Sequence, residues 1–103
     1  MADISIIKDM LREEQERNLE MQAAFQEEIA QLPRGSLVVQ NISGNDYCYL
    51  KHREGGRIVS QYMGRAEKCR ERLESELAQR RRLEDALRRI KAELKIIRKT
   101  LGD

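Results

Sequence analysis

The chain has no tryptophan, one phenylalanine and three tyrosines, so aromatic residues make up only 4% of its 103 positions. Charged residues make up 37%. A chain this short with so little apolar bulk cannot fill a thick globular core, and an elongated fold on a thin apolar seam is the expected solution. Proline occurs once, at Pro33, and no glycine precedes Gly35. The two cysteines, Cys48 and Cys69, lack Cys-x-x-Cys spacing, which suggests neither a zinc site nor a disulfide framework and fits a reducing, cytoplasmic setting. No apolar run approaches the ~18 residues of a membrane span. The opening MADISIIKDM has neither the basic nor the long apolar region of a secretion signal. A soluble protein without membrane contact is expected.

What charge there is falls unevenly. Residues 1–32 carry three Lys/Arg against eight Asp/Glu, a net of −5, and residues 65–103 carry thirteen against eight, a net of +5. The residues between add four against two, which completes the formal total of +2. A total this small argues against a chain that coats nucleic acid all round, and the opposite signs favour pairing of the two outer segments.

Both outer segments read as helix. From Asp3 to Leu32 there is no Gly or Pro, and Ala, Leu, Met, Glu, Gln and Arg dominate. Asp3 is the expected N-cap and Pro33 the stop. Apolar residues recur at Ile4, Ile7, Leu11, Met21, Phe25 and Leu32, interrupted by Glu14, Asn18 and Glu28. Residues 65–101 repeat the grammar with a more regular seam, Ala66, Cys69, Leu73, Leu83, Leu87, Ile90, Leu94, Ile97 and Leu101, interrupted at Glu76 and Arg80. Gly102 suits the helix end. If the helices fold back on each other, facing residues have numbers adding to about 98. That places Leu11 opposite Leu87, Ile4 opposite Leu94, Asn18 opposite Arg80 and Leu32 opposite Ala66, with mismatches at Glu14 and Glu28.

Between the helices, residues 36–62 read as β-structure. Leu37 to Ile42 is rich in β-branched residues, Ser43-Gly44-Asn45-Asp46 is turn chemistry, Tyr47 to Arg53 is strand-like, and Glu54-Gly55-Gly56 turns into a third strand, Arg57 to Tyr62. The expected fold is α+β: one domain, an antiparallel two-helix coiled-coil hairpin with a small three-stranded antiparallel β-meander at the bend. If Ile42 faces Tyr47 and Arg53 faces Arg57, one sheet face carries Leu37, Val39, Cys48, Leu50, His52, Ile58 and Tyr62. The other carries Val38, Gln40, Ile42, Tyr47, Tyr49, Lys51, Arg53, Arg57, Val59 and Gln61. A two-residue Gly55-Gly56 turn instead exchanges the faces of the third strand.

The central stretch resembles a family of small uncharacterised prokaryotic proteins and the N-terminal parts of some transposases. Its pattern is an aromatic cluster before a Leu, an Arg before a Gly turn, and a closing Tyr-x-Gly. Tyr47, Tyr49, Leu50, Arg53, Gly55, Gly56, Tyr62 and Gly64 meet it, preceded by Leu32-Pro33-x-Gly35-Ser36-Leu37; Cys48 stands where an aromatic is often found. The resemblance implies a mobile-element or nucleic-acid setting and no catalytic residue.

Read from the residues, Tyr47, Tyr49, Lys51, Arg53, Arg57 and Gln61 are candidates for a face on which rings stack on bases and cations meet phosphates. The competing reading has the tyrosines cover the helix ends, with the cations at the rim. Arg81 and Arg88, within the basic run Arg80-Arg81-Arg82 to Lys99, are candidates for phosphate tracking along the second helix. Interspersed Glu84, Asp85 and Glu93 favour a solvated, internally matched face. His52 and Cys48 are too few ligands for zinc. No serine has a base in a recognisable arrangement and no phosphate-cradling glycine loop is present. A non-enzyme without cofactor is expected. Three readings stay open: a nucleic-acid-associated binding protein of mobile-element or phage type; a protein–protein module, such as an adaptor or a phage- or plasmid-encoded inhibitor of a nucleic-acid-processing enzyme; and a structural coiled-coil homodimer.

Overall fold

The computed structural model describes residues 3–102. Its elements follow in the order α1 (Ile4–Gln31), β1 (Ser36–Ile42), β2 (Asn45–Glu54), β3 (Arg57–Arg65) and α2 (Ala66–Leu101). The fold is α+β, two helices and an antiparallel sheet of order β1-β2-β3. By packing, the chain divides into two compact units: α1 with the residues from Arg82 onward, and Leu32–Arg81, which holds the sheet and the first turns of α2. Among the described residues no helix is long and apolar enough to cross a membrane.

The helix ends form where their chemistry dictates. Asp3 caps α1, its Oδ1 accepting from the Ser5 N–H at 3.0 Å and its carbonyl from the Ile6 N–H at 3.1 Å. The Ser5 backbone bond holds the Asp3 carboxyl below its ordinary value. Gly102, at φ +81°, donates its N–H to the carbonyls of Arg98 and Lys99 and closes α2. Gly35 meets a stricter demand. At φ +111° it lies so close to β2 that a Cβ there would sit 2.5 Å from the Lys51 carbonyl oxygen.

In the Leu32–Arg81 unit, Cys48 and Leu50 of β2 are buried against Cys69, Leu73 and Leu77 of α2, with Leu37, Val39, Met63 and Ala66 around them. Arg80, which interrupts the apolar seam in sequence, donates from Nη1 to the Leu32 carbonyl at 2.9 Å. It satisfies one of the carbonyls left without an acceptor role at the end of α1. Glu76, the other interruption, is held by Arg72 one turn away on its own helix at 3.0 Å.

In the other unit, α1 and the C-terminal half of α2 form an antiparallel pair. Leu83, Ile90, Leu94, Ile97 and Leu101 are buried, as the seam predicts. Their partner row on α1 differs from expectation. The inward stripe is Leu11, Gln15, Asn18, Gln22, Phe25 and Ile29, whereas Ile4, Ile7 and Met21 of the predicted seam are exposed. Asn18, only 2% exposed, donates from Nδ2 to Glu93 Oε2 at 3.0 Å. It was expected opposite Arg80, so the register slides by 93 − 80 = 13 residues, and Leu32, expected opposite Ala66, meets Arg80 instead. The expected facing pairs are therefore corrected. A uniform Leu/Ile row accepts many registers at similar energy, so a buried amide and its one partner decide among them.

Two outcomes follow. Gly35→Ala is expected to lower the unfolding free energy by about 2 kcal/mol or more, and Gly44→Ala, whose Cβ would meet nothing within 4 Å, by only about 1 kcal/mol, read from urea denaturation. Asn18→Leu is expected to keep or raise the melting temperature while broadening the distance distribution between spin labels at the exposed positions 12 and 98, because the register loses its polar lock.

Candidate functional site

The site is the sheet face turned away from α2, and two tight turns decide which residues stand on it. Ser43 (φ +52°) and Gly44 (φ +85°) form a two-residue hairpin turn, as do Gly55 (φ +57°) and Gly56 (φ +79°). Positive φ at both central positions matches the twist of the flanking strands. Ile42 therefore pairs with Asn45 rather than Tyr47, and Glu54 rather than Arg53 pairs with Arg57. On β2 the expected face assignment survives, because Tyr47 pairs with Gln40, Tyr49 with Val38 and Lys51 with Ser36.

On β3 the assignment is reversed. Arg53 pairs with Ile58, Lys51 with Ser60 and Tyr49 with Tyr62, whereas Arg57 and Gln61 pair with Glu54 and Leu50 on the opposite face. Arg57 and Gln61 are thus corrected out of the aromatic face, and Tyr62 and Ile58 enter it. The signal was present in the Gly-Gly pair, whose two-residue turn shifts the alternation by one. A bulge follows, where the partner of β2 jumps from Tyr62 at Tyr49 to Gly64 at Cys48. The skipped residue, Met63, packs into the core, while Tyr62 stays outside.

The result is a cluster of all three tyrosines. The Tyr62 ring lies 5.5 Å from Tyr49 and 6.1 Å from Tyr47 by centroid, tilted by 56° and 53°, within the range of favourable aromatic pairs. Tyr62 is 56% exposed and Ile58 65%, so this face is open to solvent. Beside Ile58, a shallow depression of about 400 Å³ is lined by Val38, Lys51 and Arg53 among others. The alternation places no carboxylate on the face, since Asp46 and Glu54 pair with Asn41 and Arg57 on the far side. Among the described residues neither Lys51 nor Arg53 is paired with an acid. Glu54 is instead approached by His52 Nε2 at 3.5 Å and by Arg34 at 4.0 Å.

The helical candidates are not part of this face. Arg81 lies beside β1's edge, lining a separate depression with Gly35, Leu37, Val39 and Arg70. Arg88 belongs to the other unit and is hydrogen-bonded by Asp85 on its own helix. Among the described residues no group of three or more His, Cys, Asp or Glu side chains is placed to hold a metal ion.

Beneath the face the two thiols meet. Cys48 pairs with Gly64, and a Cβ on Gly64 would lie 3.7 Å from Cys69 Sγ, which donates to the Arg65 carbonyl at 3.1 Å. Burial, then a hydrogen bond with Cys69, pushes the Cys48 thiol above its ordinary value of 9.0. The protonated thiol therefore supports the fold below pH 9.0, and that contribution is lost as pH rises through the higher folded value. Unfolding free energy is expected to fall as pH is raised above 9.0, and Cys48→Ala, though less stable at pH 7, is expected to show a shallower alkaline decline in the same urea series.

A family model for a domain of unknown function, DUF6788, matches residues 7–75. The match takes in most of α1, the whole meander and the first turns of α2. No curated protein and no solved structure matches the chain.

Proposed function

The chain belongs to this family of domains of unknown function, DUF6788, and we propose that it binds single-stranded nucleic acid on the open face of its sheet. The observation that carries the reading is the composition of that face: Tyr47, Tyr49 and Tyr62 in contact, Lys51 and Arg53 beside them, and no carboxylate among them. Tyrosine rings offer stacking surfaces to any base, and neighbouring cations neutralise the phosphates that link them. A duplex hides its base faces, so the ligand is a single strand. The protein acts as a binder with no catalytic step, in the cytoplasm, and the mobile-element or phage setting implied by the central motif belongs to the same proposal.

The aliphatic residues Val38, Ile42 and Ile58 on the same face favour a second reading, docking on a protein that processes nucleic acid. Such a partner would bury the aliphatic rim together with the tyrosines, a combination frequent in protein interfaces.

Fluorescence anisotropy with labelled oligo-dT and oligo-U tests the first reading. Tyr49→Ala and Tyr62→Ala are each expected to weaken binding by about 1–3 kcal/mol. Lys51→Ala or Arg53→Ala should each reduce the slope of log K against log salt by about 0.7. Arg57→Ala and Gln61→Ala, on the opposite face, should leave binding unchanged. Absence of binding to either strand at low salt overturns the reading, and recovery of one protein partner from nuclease-treated lysate, lost in Ile58→Asp, supports the second.

A further inference from the structure

Neither binding reading involves the open edge of the sheet at β1. This strand has one neighbour, β2, and nothing along it guards the other side. Edge strands are usually blunted by charged side chains, proline or a bulge. β1, SLVVQNI, has no charge and no proline, and its register with β2 runs unbroken from Ser36 to Ile42. The opposite edge, β3, begins and ends on arginine and is interrupted by the bulge.

The turn fixes which groups the open edge offers. A two-residue hairpin closes on a pair that exchanges both backbone bonds, here Ile42 with Asn45. Counting back by twos, Gln40, Val38 and Ser36 also bond to β2. Leu37, Val39 and Asn41 therefore turn N–H and C=O away from it, a row of alternating donors and acceptors. Beside this row runs a groove of about 330 Å³, with Leu37 and Val39 on one side and Arg70, Glu74, Leu77 and Arg81 of α2 on the other. Spacings of four, three and four residues put those four on one stripe of the helix. From Arg70 to Arg81 the helix rises roughly 16 Å, the length of about five strand residues. All of these residues belong to the Leu32–Arg81 unit. α2 starts beside the Ser43-Gly44 turn, where Gly44 and Asp46 share a depression with Ala66 and Arg70, so Arg81 lies toward the Gly35 end of β1. Arg70 is held by Glu74 at 3.1 Å, whereas Arg81 is exposed and has no acidic partner among the described residues.

We infer that β1 takes up an extended peptide as a fourth strand, about five residues that alternate apolar and polar, with a carboxylate set against Arg81. The backbone row selects a polypeptide, because a phosphodiester chain offers acceptors and no donor to match it. Leu37, Val39 and Leu77 give the alternate side chains that point toward α2 an apolar floor. The unpartnered Arg81 selects an acidic end. A second copy of β1 would satisfy the backbone and fail on charge. A two-fold axis between paired β1 strands sets the Arg81 of each copy against the Arg70 of the other, and like charges so placed oppose the contact.

Short peptides of alternating valine and threonine, flanked at both ends by aspartate or, as a control, by lysine, test the inference through amide hydrogen exchange followed by NMR. In the free protein the Leu37, Val39 and Asn41 amides should exchange faster than those of Val38 and Gln40. The aspartate peptide at millimolar concentration should slow those three by about fivefold or more. Asn41→Pro removes one outward N–H, leaves the bonds to β2 in place and should abolish the protection of Leu37 and Val39. Arg81→Glu should weaken the aspartate peptide by about threefold or more and favour the lysine peptide. Its position is exposed, so it reports even where the proline disturbs the hairpin. Absence of protection by either peptide overturns the inference, as does equal protection by both. Protection that grows with protein concentration alone assigns the edge to a second copy, and protection by oligo-dT assigns it to nucleic acid; either result overturns it too.

Discussion

The pairing of β2 with a neighbour on each edge is the constraint on which the candidate surface depends. Side chains alternate strictly along a strand, so once the two turns count two residues each, every side chain of the meander has its face assigned. Leu37, Val39, Cys48 and Leu50 go to the helix-covered side. Tyr47, Tyr49, Lys51 and Arg53 go to the other, and Tyr62 joins them across β3. One more residue in the Gly55-Gly56 turn would return Arg57 to the tyrosines and send Tyr62 inward. The glycines of the meander thus serve the surface through the backbone: positive φ at the turns, and close approach to Lys51 at Gly35.

This gives a physical account of much of the central motif. Gly35, Gly55 and Gly56 are backbone requirements, and Leu50 is a core residue at 2% exposure. Cys48 is fully buried on the covered face, so it takes nothing from the tyrosine face outside. A larger ring at that position would need room in the core beside Cys69 and Leu73. The motif residues that need no such structural explanation are the tyrosines and Arg53, the ones on which the functional reading rests.

The helical pair obeys a weaker rule. Its α2 row is apolar and regular, while α1 presents Gln15, Asn18 and Gln22 between Leu11 and Phe25. Apolar contact alone does little to distinguish registers for such a pair. The Asn18–Glu93 hydrogen bond does, since an unpaired buried amide would cost more than several exposed methyl groups gain. Exposure of Ile4, Ile6, Ile7 and Met10 follows from that bond. Ion pairs such as Arg12–Asp9 and Arg70–Glu74 form within single helices. Exposed pairs of this kind add little to stability, and the charge contrast between α1 and α2 remains a property of their surfaces.

Sequence alone determined the elements. Helix composition between Asp3 and Pro33 and between Arg65 and Gly102, and β-branched runs punctuated by glycine, are local signals, and local signals place helices and strands along the chain, although β3 runs past its expected end at Tyr62 to Arg65 by way of the bulge. It also determined the α2 seam and the alternation of β2, because each is a period read within one element. Tertiary structure decided what depends on a second element: the face of Arg57, Gln61 and Tyr62 through the count of residues in a turn, and the partner of Asn18 through a hydrogen bond 75 residues away in sequence. Relations of that kind have no period to read. They are fixed by one or two contacts among many apolar near-equivalents, and only the folded chain shows which contacts those are.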